Sequence, residues 1–213
     1  MKTFLKIVGC VFIIVIFFGI FSIFNSDSKK TYNVVATYKG DLGCTFMDFV
    51  KSYNEYITKE NIGSAYEDYI IGQKSVKQEV HENGIVEITC ALGKDNYPTV
   101  TVYLDSKSEK VKEIDVSGFM LYKADDVYYA SVATNVINAV VHDQYLKNNQ
   151  SIKNSYGYSV LINSLDFFKY SFINDYHSEK VTSDKITYSL LTVPSSSSIT
   201  KRPHVILSIS PYK

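Results

Sequence analysis

Residues 75–118 read SVKQEVHENGIVEITCALGKDNYPTVTVYLDSKSEKVKEIDVSG. Apolar and polar residues alternate through most of this stretch, and alternation sends successive side chains to opposite faces of a strand. Val76 and Val80 alternate ahead of His81-Glu82-Asn83-Gly84-Ile85; Val86, Ile88, Cys90 and Leu92 alternate after it. Asn83-Gly84 between two such runs signals a hairpin, because both residues accept the positive φ of a type I′ turn. Residues 93–98 supply a loop, 99–104 a third strand, 105–110 a turn and 111–116 a fourth strand. The stretch predicts a four-strand antiparallel meander with one apolar face, and such a face has to be covered.

Helical patterns lie on both sides of it. Thr45 and Asp48 form a capping-box variant, and Phe46, Phe49, Val50, Tyr53, Tyr56 and Ile57 recur at helical spacing up to Asn61–Gly63. Asp125 or Asp126 caps a second helix with Ala130, Ala133, Val136, Ile137, Val140 and Val141 as its buried stripe. Beyond a polar loop at 147–155, residues 158–172 read as a helix from about Val160, although 158–162 also suit a strand. Residues 185–193 and 204–209 alternate and flank a Ser-rich loop, so they pair as a hairpin. The fold class is α+β: an N-terminal hydrophobic helix, a helix, four-strand meander and helix unit, then a further helix and a C-terminal β-hairpin.

Residues 7–24 carry no charge and follow Lys2 and Lys6, so they have the length and flank of a membrane span at about 1.5 Å rise per residue. Residues 1–30 are read as an anchor or signal plus linker, and 31–213 as one extracytoplasmic domain, with a division into halves 31–145 and 155–213 left open. Length favours an uncleaved anchor; Ser26-Asp27-Ser28 leaves cleavage and secretion open. Cys10 sits inside the run and is read as an apolar membrane residue rather than a lipidated one. Residues 31–38 read as a short strand. The excess of Lys over Arg, with much Asn, Ile and Tyr and no Trp, suggests AT-rich bacterial coding.

The 213 residues are 46% hydrophobic, 21% charged and of zero formal net charge. That composition suits a folded core and offers no basic run for nucleic acid, whose binding rests on neutralising phosphates. No nucleophile elbow, P-loop, dinucleotide glycine pattern, zinc spacing or EF-hand loop occurs, so no catalytic residue, cofactor or metal is assigned. The histidines, at 81, 142, 177 and 204, are far apart in sequence, and His142 suits the end of a helix.

One polar sheet face is the candidate contact surface: Lys77, Glu79, His81, Thr101 and Tyr103, with Glu87, Thr89, Thr99, Glu113 and Asp115 beside them. Glu79 and His81 form a possible acid–base pair there. Cys44 and Cys90 both point to the core between the first helix and the sheet, and they are candidates for a disulfide. The functional expectation is a non-catalytic binding domain of a bacterial envelope protein, held to the membrane by 7–24 and partnered by another envelope protein. Two other readings stay open: an accessory subunit of a secretion or conjugation apparatus, and a hydrolase whose site is assembled from scattered residues.

Overall fold

Thr45 and Asp48 start the first helix by capping each other: the Asp48 N–H donates to Thr45 Oγ1 at 3.2 Å, and the Thr45 N–H donates to Asp48 Oδ2 at 3.3 Å. This satisfies amides that the first helical turn leaves without intrahelical acceptors. In the computed structural model, residues 40–60, 67–72, 76–93, 97–120, 125–143, 151–195 and 203–212 are described. The hydrophobic run 7–24 and the strand expected over 31–38 lie outside them. Among the described residues no helix is long and apolar enough to cross a membrane.

Helix α1 (Phe46–Glu60) is followed by β1 (Val76–Val80), β2 (Ile85–Ala91), β3 (Thr99–Asp105) and β4 (Val111–Phe119), which pair in sequence order as an antiparallel meander. The first hairpin forms at the expected place with a different turn. Gly84 has φ +78°, whereas Asn83 is not left-handed. The Gly84 N–H donates to His81 O at 3.1 Å, and the His81 N–H donates to Ile85 O at 2.8 Å. These bonds define a three-residue loop closed by a glycine bulge. Asn83 serves through its side chain instead, accepting from the Ile85 N–H at 3.1 Å.

Helix α2 (Asp125–Val141) is more enclosed than one stripe implies. Val132, Ala133, Val136, Ile137 and Ala139 are buried, and so are Thr134, Asn135 and Asn138 on other sides. From Val132 to Val140 the helix is buried on every side, and its polar residues there need polar partners. Tyr129 Oη donates to Val116 O at 2.8 Å and ties the helix to β4, while Tyr56 Oη donates to Asp143 O and ties its end to α1. Asn138 faces the next helical segment, where Oδ1 accepts from the Gly157 N–H at 2.7 Å and Nδ2 donates to Ser155 Oγ at 3.2 Å. The expected helix near residue 160 begins earlier, as α3 (Tyr156–Tyr158), widens into π turns over Ser159–Ser164, and breaks at left-handed Asp166 before α4 (Phe167–Tyr170). The widened turn lets Val160, Leu161, Leu165 and Phe167 all reach the core.

The chain ends in β5 (His177–Ser183), β6 (Ile186–Val193) and β7 (His204–Pro211). β6 and β7 pair as the expected hairpin, and β7 pairs with β4, so a single seven-stranded sheet in the order β1-β2-β3-β4-β7-β6-β5 draws strands from both halves of the sequence. β5 has a single apolar residue, Val181, which packs against the core, and is otherwise polar on both faces of an edge position, where charged side chains discourage pairing with foreign strands. One sheet face packs against the helices through Ile88, Cys90, Val100, Val102, Ile114, Val116, Leu207 and Ile209, all buried.

Candidate interaction face

The register assigns the opposite face of the sheet residue by residue. Lys77, Thr89, Thr101, Asp115 and Ser208 are cross-strand partners in one rank. Glu79, Glu87, Tyr103 and Glu113 form the next. All are half-buried or exposed, in contrast to the buried residues that alternate with them along β3, β4 and β7. The five candidates Lys77, Glu79, His81, Thr101 and Tyr103 therefore share the face or its rim, and β1 through β3 position them by strand alternation alone. The expected Glu79–His81 pair is replaced by another: His81 lies just past β1, and its Nε2 is 3.2 Å from Glu87 Oε2. His81 lies opposite Ile85 and so keeps the face of Glu79, and Glu87 is its diagonal neighbour across the hairpin.

Glu79 stands directly opposite Glu87, and like charges facing each other across strands cost stability. Tyr103 lies between Glu87 and Glu113, and its hydroxyl is pushed upward by desolvation first and then by Asp115, Glu87 and Glu113. Asp115 is the most confined acid of the group. Desolvation raises its pKa, Glu87 adds to the rise, and a hydrogen bond with Ser208 opposes it. Asp115 Oδ1 is buried and has no hydrogen-bond donor within the described structure. A buried carboxylate oxygen without a donor is costly.

Toward the other end of the strands the same face turns aromatic and aliphatic. Phe119 pairs with His204 across β4 and β7 and stacks on it with ring centroids 4.5 Å apart; Tyr97 meets Phe119 edge-on at 5.5 Å. Tyr97 is 43% and Phe119 36% exposed, so these rings present surface to solvent rather than fill the core. Partial burial pushes the His204 pKa down, which favours the neutral ring. Ile206 and Leu191 are partners one rank away, and Val193 is the β6 partner of His204. The sequence reading missed Phe119, His204, Ile206 and Leu191. Their signal was present in β7, where His204, Ile206 and Ser208 alternate against buried Val205, Leu207 and Ile209, but the pairing of β7 with β4 has no local signature.

The remaining candidates do not assemble with this face. His81 stands by one edge strand and His177 begins the other, six spacings of about 4.8 Å away. His177 stacks on Tyr170 on the helix-covered side, and His142 ends α2 in a left-handed conformation at φ +53°. Among the described residues no group of three His, Cys, Asp or Glu side chains is arranged to hold a metal ion. The disulfide candidates, Cys44 and Cys90, are buried free thiols. The Val111 N–H donates to Cys44 O, which places Cys44 beside the Val86–Leu104–Val111 rank, four residues along β2 from Cys90. Four residues of strand span about 13 Å, beyond the roughly 7 Å limit between disulfide Cα atoms.

Comparison with protein-family models, curated proteins and solved structures finds no match for this chain.

Proposed function

We propose that the chain is a membrane-anchored binding domain of a bacterial envelope, held outside the cytosol by residues 7–24, and that it engages another envelope protein through the open face of its sheet without catalysis. The observation that supports the reading is the asymmetry of the sheet. Among the described residues its helices cover one face, and the other is half-exposed across β2, β3, β4 and β7, with one undonated oxygen of Asp115 and exposed aromatic rings. Exposed apolar surface rimmed by polar groups is the usual form of an interaction site. Facing carboxylates and an undonated carboxylate oxygen cost stability in the free protein, and a partner's donors would relieve that cost.

Site-specific photocrosslinking in intact cells tests this. A photoreactive residue at Thr101, in the middle of the open face, should form a discrete crosslinked species that the same group at exposed Lys51 on α1 does not. Equal products at both sites, or none at Thr101, would remove the face from consideration. Proteolysis of intact spheroplasts should degrade residues 40–213; full protection until lysis would overturn the extracytoplasmic placement.

A further inference from the structure

The open face has a direction, and it specifies its occupant. Along β4 the outward residues run Glu113, Asp115, Ser117 and Phe119, from acid to aromatic over six residues, or about 20 Å. Glu87 and Tyr103 flank the acidic end, and His204, Ile206 and Leu191 flank the aromatic end. We infer that this face binds an extended polypeptide segment of another protein, with apolar or aromatic side chains lying on Phe119, His204 and Ile206 and a Lys or Arg reaching Asp115, Glu113 and Glu87. This rests on the binding reading above and adds the chemistry and orientation of the partner.

Charge decides among the possible occupants. At the middle of the sheet an anionic lipid surface or a nucleic acid meets like charge at Glu87, Glu113 and Asp115, and the lysines of the Asp115 rank, Lys77 and Lys180, stand apart on the edge strands β1 and β5. A cationic side chain meets the opposite charge, and its N–H groups supply the donor that Asp115 Oδ1 lacks.

The test uses the full chain in lipid nanodiscs and two labelled synthetic peptides of about eight extended residues, a length that covers the face. One has Phe and Leu at one end and Arg at the other; the second has Glu in place of Arg. By fluorescence anisotropy the Arg peptide should bind at least about tenfold more tightly, with a preference that shrinks as salt is raised. Glu113→Gln with Asp115→Asn should abolish the preference, whereas Phe119→Ser should weaken both peptides alike. Equal binding of the two peptides, or a preference that survives the double substitution, overturns the inferred chemistry while leaving the crosslinking result at Thr101 intact. Crosslinks from Ser117 to residues 28–38 of the same chain, or to a second copy, would overturn the external partner.

Discussion

Gly157 packs so closely against α2 that a Cβ at this position would lie 2.3 Å from Thr134 O and 2.7 Å from Asn138 Oδ1. The contact is with backbone on one side and with a hydrogen-bonded amide on the other, so neither can retreat cheaply. Gly157→Ala should destabilise the domain by about 1–3 kcal/mol through overpacking. Asn138→Ala removes the acceptor of a buried N–H and should cost about 1–3 kcal/mol. Chemical denaturation measures both, and an unchanged midpoint for either would mean that this helix junction is looser than described.

The two left-handed positions in the β1–β2 and β3–β4 turns give substitutions of opposite sign. Gly84 at φ +78° tolerates no β-branched residue, and Gly84→Val should cost on the order of 1 kcal/mol or more. Exposed Glu109 holds φ +57° at the strain of an ordinary side chain, and Glu109→Gly should add about 0.5–1 kcal/mol. Thermal melts that shift both variants in the same direction would contradict these turn conformations.

Asp115 makes stability depend on pH with a defined sign. Its folded pKa is raised above the unfolded value, so its contribution is fully present below the unfolded pKa and is lost as pH rises through the folded one. Asp115→Asn lacks this loss and should melt higher than the natural protein at about pH 7, with the gap closing toward about pH 3. Asp48 and Asp105 behave oppositely: hydrogen bonds from the Thr45 and Ser108 side chains and backbone lower their pKa values, so their contributions are lost as pH falls. They are common to both proteins and cancel in the difference. A gap that widened on acidification would be inconsistent with this assignment.

The thiols of Cys44 and Cys90 are pushed up by burial to about 11 and about 12, respectively. Thiolate is the reactive form. Native protein treated with iodoacetamide near neutral pH should stay unmodified at both positions, and unfolding should expose both to full alkylation. Intact mass under non-reducing conditions should match two free thiols. A mass lower by two hydrogens, with a peptide joining the two residues, would refute the separation along β2 and β4.

What the sequence by itself determined is what short-range chemistry controls. Thr45 and Asp48 mark a helix start because a cap needs partners three residues apart. Val86, Ile88 and Cys90 mark a strand because its side chains repeat every second residue, and the register of the meander follows from turns of a few residues. The candidates Lys77, Thr101 and Tyr103 were legible for the same reason, since alternation alone sends them to one face. The union of β7 with β4 was decided by tertiary structure, because any antiparallel edge offers the same backbone donors and acceptors. That union brings His204 onto Phe119 and gives the face its aromatic end. Polar β5 has no period to read, and Asn138 resembles a surface residue until Gly157 covers it. Cys44 and Cys90 both point to the core, but only the ranks of the folded sheet set the distance between them.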